Sequence, residues 1–360
     1  MDILFLSSVY TNLEKEIFKG GGVNKFLENL AKAILKKNNV KIVLPSSQTK
    51  KLIWEGMEIY LFKSLIVGRE RGIPLEMGKI LELADDMDVF VMVDPLPFFF
   101  SKFKTKSKKV GIVHGIALHG FWRRIRDNGL VTLLTVGEPL YFKLFCKNFD
   151  LICAVSPVSA NFLKKFGIRN IFIIGNGIDT KRYEFSFKKE DIAVKISRLA
   201  SYKGITEEIK AFSELGYNFV ILGEGRLKEY VKKVTKTFPN IKYEGYVPEE
   251  RKIYILKQAK YLISLSYLEA FGITLIEGMA CGCVPIVRDI PAHRWVFQGE
   301  KVGLLVKNWK ELISALEWLE NNPEERKKMS KRGRKLVEKV WNIKRIANNF
   351  ISKVESVLQG

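Results

Sequence analysis

The chain alternates short apolar runs with segments whose apolar residues recur every three or four positions. In the first half, the runs "DILFLSS", "VKIVLPS", "DVFVMVD", "KKVGIVHG", "DLICAVS" and "NIFIIGNG" predict strands, and "GVNKFLENLAKAILKKN" predicts a helix after the first of them. Strands that alternate with helices are typical of a parallel sheet covered on both faces. The first half is therefore predicted to form one doubly wound α/β domain.

The second half repeats this pattern. Strands are predicted at "IAVKISRLA", "YNFVILGEG", "IKYEGY", "YLISLS", "CVPIVRD" and "VGLLV", with helical segments in the gaps. The polar segment "DTKRYEFSFKKED" separates the halves. We predict two tandem Rossmann-like domains with an interdomain cleft, residues 1–178 (with about 342–360) and residues 179–341. The tail from about residue 324 is amphipathic, and we predict that it is helical throughout and crosses back to the first domain.

The composition, and the net charge in particular, indicates which class of partner the protein could bind. The 360 residues are 47% apolar and 28% charged, as in folded proteins, but the formal charge of +21 is unusual. Such a charge favours an anionic partner: a phosphorylated substrate, an acidic membrane surface or nucleic acid. A lysine-rich surface typical of a thermophile explains it equally well. No apolar stretch reaches the ~20 residues that span a bilayer, and "MDILFLSSVY" fits a first strand, so we expect a cytoplasmic protein.

Residues that directly follow strands are the first candidates for chemistry, because ligands of open parallel sheets bind beyond the carboxyl ends of the strands. Gly21 and Gly22 open the first helix, where free N–H groups attract an anion, although a simple turn has the same sequence. His114 follows the strand "KKVGIVHG"; a hydrogen-bonded core histidine is the alternative. Arg198 and Lys203 follow "IAVKIS" and could converge on a diphosphate, or form a solvated basic loop.

The segment "SYLEAFGITLIEGMACGCVPIV" carries two glutamates, Glu269 and Glu277, around a predicted helix start. A buried carboxylate without a partner is costly, so both should face water or hold a ligand. N–H groups at the helix start can receive phosphate oxygens, and the carboxylates suit sugar hydroxyls, one on the transferred sugar and one on a ribose. The residues expected to line the helix start are Phe271, Gly272, Ile273 and Thr274.

Taken together, these motifs resemble the GT-B glycosyltransferases of family 4. The resemblance is carried by Glu269-x7-Glu277, Arg198 with Lys203, the Gly21-Gly22-Val23 turn, "AVSPVSANFLKKFG", "IIGNGID" and "VILGEG". It covers nearly the whole chain. It implies retaining transfer of a sugar from a nucleotide-diphosphate sugar to a lipid, glycan or protein hydroxyl, with no cofactor and no metal ion.

The resemblance also implies a role for each site residue. Arg198 and Lys203 would neutralise the diphosphate leaving group, Glu269 would position the donor sugar, and Glu277 would bind the ribose hydroxyls. His114 would face the sugar at the reaction centre.

Two further contacts follow from the same resemblance. The Gly21-Gly22 turn would approach the phosphates, and Val247 in "YEGYVPEE" would flank the base. An extra glycine before the usual pair, and Gly175 where proline is frequent, depart from the family pattern without removing a proposed functional group.

Three other functions are weighed against this one. A metal-dependent GT-A transferase needs a D-x-D motif after a strand, whereas Asp86-Met87-Asp88 precedes one. A nucleotide-sugar epimerase of GT-B fold would use similar Arg and Glu contacts to a diphosphate. A basic nucleic-acid-binding protein would explain the charge, but "SKFKTKSKK" lacks the interleaved aromatic residues that stack on bases, so no nucleic acid is expected.

Two segments of the first domain place aromatic rings beside clustered cations. These are "PFFFSKFKTKSKK" and "HGFWRRIRDNGL". Rings at an apolar boundary with cations at phosphates are typical of a surface that rests on anionic lipid headgroups, whereas core rings with solvated cations would give the same composition. The first interpretation predicts a peripheral membrane protein with a lipid or lipid-linked acceptor.

Overall fold

A computed structural model describes residues 1–8, 18, 22–67, 71–94, 104–114 and 148–359. The described residues form two compact units. The first contains those up to Gly177 and those from Ile343 onward, and the second contains Ile178–Asn342.

The first unit is a sheet covered by helices. Its strands are β1 (Asp2–Ser7), β2 (Asn39–Ser46), β3 (Lys50–Trp54), β4 (Met57–Val67), β5 (Arg71–Pro74), β6 (Val89–Val93), β7 (Lys108–Val113), β8 (Leu151–Ala154) and β9 (Ile171–Ile173). Its helices are α1 (Gly22–Ile34), α2 (Met77–Asp85), α3 (Pro157–Lys165) and, from the end of the chain, α11 (Ile343–Leu358). The strand order is β3-β4-β2-β1-β6-β7-β8-β9, with β5 beside β4.

This sheet is not wholly parallel, which corrects the sequence-based expectation. Strands β3 and β5 pair antiparallel with β4, while the other pairs are parallel. The β3–β4 connection is the two-residue turn Glu55-Gly56, with φ values of 46° and 83°. Positive φ at both positions matches the twist of a tight hairpin. The sequence did not predict this hairpin because β3 is a half-exposed edge strand rather than a buried apolar run.

The second unit has the predicted strands in a purely parallel sheet. They are β10 (Glu190–Ile196), β11 (Asn218–Leu222), β12 (Ile241–Gly245), β13 (Ala259–Ser264), β14 (Val284–Arg288) and β15 (Leu304–Val306). The helices are α4 (Ile205–Leu215), α5 (Lys228–Thr237), α6 (Glu249–Gln258), α7 (Ile273–Cys281), α8 (Pro291–Phe297), α9 (Trp309–Asn321) and α10 (Pro323–Lys339). Apolar side chains of both layers form a common core around Phe212, Phe219 and Ile263.

The prediction of one continuous C-terminal helix is wrong. The helix ends at Lys339 and a new one begins at Ile343, because Trp341 is buried and its carbonyl accepts a hydrogen bond from Ile178 N–H at 3.0 Å. The final helix, α11, does belong to the first unit, as predicted, and packs on α1. A Cβ at Gly177 would lie 2.8 Å from Ile343 Cα, so only glycine allows this close approach.

Candidate donor-binding site

The order of the second sheet locates a candidate site. Along the sheet the strands run β12-β11-β10-β13-β14-β15, so the chain moves outward in one direction from β10 and in the other from β13. In open parallel sheets, ligands bind at the carboxyl edge where this reversal occurs. The two loops that leave this point follow β10 and β13, and they contain Arg198, Lys203 and Glu269.

The two loops are in direct contact. Gly204, which follows the 3₁₀ turn Ser201–Lys203, has a φ of 74°. A Cβ at this position would lie 2.2 Å from the carbonyl oxygen of Leu265, so glycine is required both by the backbone conformation and by the space. Tyr267 N–H also donates to the Tyr202 carbonyl at 2.9 Å.

This contact brings two predicted site residues together. Lys203 Nζ lies 2.7 Å from Glu269 Oε1, and the two side chains are only 15% and 16% exposed. Burial raises the pKa of the Glu269 carboxyl, but the charge and hydrogen bond of Lys203 more than offset it, so the net pKa is below its ordinary value. Glu269 is therefore held as a carboxylate. Arg198 lies exposed in the same loop as Lys203.

Helix α7 begins beside Glu269. Its N-cap, Gly272, has a φ of 102° and no side-chain cap, so the first N–H groups of the helix, at Ile273 and Thr274, are not capped by a side chain at that position. Phe271 is buried and packs edge-on against Trp341, with ring centroids 5.0 Å apart. The Phe271 ring thus belongs to the core, and any donor contact from this residue would have to come through its backbone.

Glu277 lies in the second turn of α7 and is almost fully buried. Its Oε1 accepts hydrogen bonds from Tyr183 Oη and Lys252 Nζ, both at 2.8 Å. Its Oε2 has no hydrogen-bond partner among the described residues. Burial lowers the pKa of Lys252, but the charges of Glu277 and Glu249 more than offset it, so its pKa is raised. The sequence did not indicate Tyr183 and Lys252 as partners of Glu277.

Val247 lies half-buried in the loop between β12 and α6. Strand β12 is separated from β10 by β11 alone, so this loop leaves the same edge of the sheet. The contact with a base stays a prediction.

His114 belongs to the first unit, where it follows β7. Its backbone N–H donates to Asp94 Oδ1 at 2.7 Å, and its ring packs edge-on against Phe26, 4.5 Å between centroids. The ring is buried, and neither of its nitrogens has a hydrogen-bond partner within the described ranges. Gly22 is the first residue of α1, whereas Gly21 lies outside the described residues.

One functional candidate was missed from sequence. His293 is fully buried in α8, and its Nδ1 lies 2.7 Å from the Arg288 carbonyl oxygen, so Nδ1 carries the proton. Burial lowers the pKa of His293 to about 4. A Cβ at Gly272 would lie 3.7 Å from its Cδ2, which places the ring against the start of α7. The sequence could have indicated His293 as a candidate because it follows β14 closely and so lies at the carboxyl edge of the sheet, where the site is.

The chain is similar to known protein families and to known proteins. The family described as "Glycosyl transferases group 1" matches residues 178–336, and "Glycosyltransferase Family 4" matches residues 20–182. An uncharacterized glycosyltransferase of Methanocaldococcus jannaschii is 24% identical over 237 residues, 65% of this chain and 66% of that protein, so the chain spans about two thirds of this relative.

Solved structures with the same fold cover the whole chain. Sucrose-phosphate synthase of Thermosynechococcus elongatus superposes with a TM-score of 0.79 at 15% identity, over 100% of both chains. HepE of Anabaena, solved in complex with UDP and glucose, superposes with a TM-score of 0.75 at 16% identity, over 99% of this chain and 100% of that one. The fold is therefore GT-B.

Proposed function

Because the chain belongs to the group 1 glycosyltransferases, we propose that it transfers a sugar from a nucleotide-diphosphate sugar to an acceptor hydroxyl, with retention of configuration and without a metal ion. The observation that carries the proposal is the Lys203–Glu269 ion pair at the point where the strand order reverses, next to the uncapped start of α7. A cation and the N–H groups of a helix start can bind a diphosphate, and a carboxylate can accept hydrogen bonds from sugar hydroxyls.

The positively and negatively charged residues of the site have different proposed roles. Arg198 and Lys203 bind the diphosphate and balance the negative charge that grows on it as the bond to the sugar breaks. Glu269 accepts hydrogen bonds from hydroxyls of the donor sugar. Fixed cations and the helix start take the place that a divalent ion has in metal-dependent transferases.

Glu277 is proposed to bind the ribose. Its Oε1 is occupied by Tyr183 and Lys252, which leaves Oε2 as the acceptor for a ribose hydroxyl. Glu277 lies one to two turns beyond the start of α7, where the phosphates are proposed to bind. A single helix would therefore fix the positions of the phosphates and the ribose relative to each other.

His114 is proposed to face the transferred sugar, on the basis of the family resemblance. In the reaction, a bond forms from the acceptor oxygen to the anomeric carbon, the bond from that carbon to the diphosphate oxygen breaks, and the acceptor proton leaves with the diphosphate. Neither ring nitrogen of His114 has a hydrogen-bond partner in the described structure, although Nδ1 lies 3.6 Å from Asp94 Oδ1, and a polar ligand at this residue would supply the missing hydrogen bonds.

UDP is the first nucleotide to test, because HepE binds it in the solved complexes. The acceptor and its place in the cell belong to the same proposal: a cytoplasmic enzyme that reaches a lipid-linked acceptor at an anionic membrane face. No helix in the described part of the chain is both long and apolar enough to cross a membrane. The aromatic-basic segments that suggest membrane contact lie largely outside the described residues.

The test is a thermal-shift screen against UDP-, GDP- and ADP-sugars, followed by product analysis with the donor that stabilises the protein. Stabilisation by one nucleotide class and transfer with retained anomeric configuration are expected. An isomerised sugar formed from the donor alone would indicate an epimerase instead. Salt-sensitive DNA binding with no response to any nucleotide sugar would favour the nucleic-acid-binding alternative.

A further inference from the structure

A buried ion pair lies directly beneath the proposed donor site. Lys195 on β10 and Glu208 on α4 are 1% and 0% exposed, and Lys195 Nζ lies 2.6 Å from Glu208 Oε1. Neither residue has a role in the proposed chemistry, and both charges are shielded from water.

Each member of the pair holds the backbone of one site loop. Lys195 Nζ donates to the carbonyl oxygen of Lys203 at 2.9 Å. Glu208 Oε1 accepts from the N–H of Leu265 at 2.6 Å. The pair therefore connects the residue that carries the phosphate-binding ammonium to the first residue of the loop that carries Glu269.

A second cation, Arg288, also binds the backbone of Leu265. Arg288 Nε donates to the Leu265 carbonyl at 2.9 Å, and its Nη2 lies 2.8 Å from Glu207 Oε1. Both backbone polar groups of Leu265 are thus bound by side chains from neighbouring elements. The loop after β13 is fixed at its origin from two sides, by α4 and by β14.

Stability alone does not require charges at this position. Apolar residues that fill the same space are often as stabilising as a buried ion pair, because two charges lose their hydration on burial. What an apolar pair cannot supply is a donor for the Lys203 carbonyl and an acceptor for the Leu265 N–H. The specific property of Lys195 and Glu208 is therefore geometric control of the two loops.

We propose that Lys195 and Glu208 are positioning residues that hold Lys203 and Glu269 in the geometry required by the transition state of sugar transfer. This inference rests on the proposed function. A displacement of about 1 Å in groups that act on a reacting centre can cost about a hundredfold in rate. Because charge on the diphosphate increases as its bond to the sugar breaks, misplacement of Lys203 affects kcat more than donor KM.

The experiment compares the double variant Lys195→Met/Glu208→Leu with Glu208→Gln and with Lys260→Met. The double variant removes both charges and both backbone contacts. Glu208→Gln keeps an acceptor for Leu265, so it should retain much of the activity. Lys260 lies near the amino end of β13, at the edge of the sheet opposite the site, where it forms ion pairs with Asp191 and with Glu320, the latter at 3.1 Å; it serves as the matched Lys-to-Met control.

Four quantities are measured for each protein: the melting temperature, affinity for UDP, GDP and ADP, donor kcat and KM, and amide hydrogen exchange of peptides that cover 197–204 and 265–272. For the double variant we expect a cooperative melt, a fall in kcat of about tenfold or more, a donor KM within about threefold of wild type and faster exchange in both peptides. Lys260→Met should match wild type in kcat and in the exchange of these peptides.

Different outcomes separate the two hypotheses. A folded double variant with wild-type kcat and unchanged exchange in both loops overturns the positioning role and leaves the proposed function intact. If the double variant does not fold, a Glu208→Gln protein that melts normally but loses as much activity as Lys203→Ala also overturns it, because the retained acceptor should rescue the geometry. A wild-type protein that binds no nucleotide diphosphate overturns both.

Discussion

Lys203 Nζ and Glu269 Oε1 are 2.7 Å apart although the residues are separated by 66 positions in the chain. An ammonium group has three donors, so Lys203 can keep this contact and still bind a phosphate oxygen. The ion pair also keeps Glu269 ionised, so both of its carboxylate oxygens can act as hydrogen-bond acceptors. This one contact would thereby join the two proposed functions, phosphate binding by Lys203 and sugar binding by Glu269.

The first prediction concerns the two cations. Arg198→Ala and Lys203→Ala should each lower kcat by about a hundredfold or more, because both groups are proposed to face the charge that develops on the leaving diphosphate. Lys210→Ala, an exposed lysine of α4 that packs over the Trp309 ring, is the control and should leave kcat unchanged. Near-normal turnover in both site variants would remove the phosphate assignment.

The second prediction separates the two glutamates. Glu269→Gln should lower kcat, because the amide cannot pair with Lys203 as a charge and offers one acceptor oxygen instead of two. Glu277→Gln should appear mainly as a higher donor KM, because a ribose contact is the same in the ground state and the transition state. Steady-state kinetics with the preferred donor distinguishes the two, and the reverse pattern would exchange their roles.

The third prediction is a pH dependence of stability. Burial lowers the pKa of His293 to about 4, whereas an unfolded histidine titrates near 6.5. Between these values the unfolded chain binds more protons, so the free energy of unfolding falls as pH falls from 6.5 to 4, by about 3 kcal/mol in total for this group.

Urea titrations at a series of pH values test this dependence. His293→Asn keeps a donor for the Arg288 carbonyl but cannot titrate, so this part of the pH dependence should disappear in the variant. Equal slopes for the variant and wild type between pH 4 and 6.5 would show that His293 is not responsible.

The strands of the second sheet could be predicted because buried parallel strands are near-continuous apolar runs, and the positions of Arg198, Lys203 and Glu269 at the carboxyl edge followed directly. The Lys203–Glu269 contact could not be predicted, since it depends on β13 inserting beside β10. Lys195 gave a weak signal, as a cation within the apolar run "IAVKIS", whereas its partner Glu208 looks like any polar residue of an amphipathic helix.

Sequence patterns did not predict the end of the helix near Trp341 or the hydrogen-bond partners of Glu277. Periodicity continues through Trp341 because that side chain is apolar, yet a hydrogen bond from Ile178 and the burial of the indole ring end the helix there. Glu277 is paired with Tyr183 and Lys252, which come from segments far apart in the chain. Neither of these two partners lies directly after a strand, where ligand-binding residues of a parallel sheet are expected.

The fourth prediction concerns metal ions. Transfer activity should survive an excess of EDTA, because Arg198, Lys203 and the start of α7 are proposed to supply the positive charge that a divalent ion would otherwise provide. The assay compares initial rates before and after chelation, at the same ionic strength. Activity that EDTA abolishes and Mn²⁺ restores would contradict the proposed mechanism.

The last prediction concerns the acceptor side. If the aromatic-basic segments around Phe98–Phe100 and Trp122 rest on anionic lipid, each cation near the surface contributes about 1 kcal/mol to binding. Changing Arg123, Arg124 and Arg126 to Gln should then weaken binding to anionic vesicles by about 3 kcal/mol, roughly a hundredfold. Sedimentation with vesicles of graded anionic content, at low and high salt, measures this change.

A matched control removes the same charge elsewhere. Lys331, Arg332 and Lys335 are exposed on α10, and changing all three to Gln lowers the net charge by the same amount. If overall charge alone attracted the protein to lipid, the two triple variants would lose affinity equally; a local membrane face predicts that the α10 variant binds nearly as well as wild type. Absence of binding by wild type to anionic vesicles at low salt would end the membrane hypothesis and make a soluble sugar or protein acceptor the better choice.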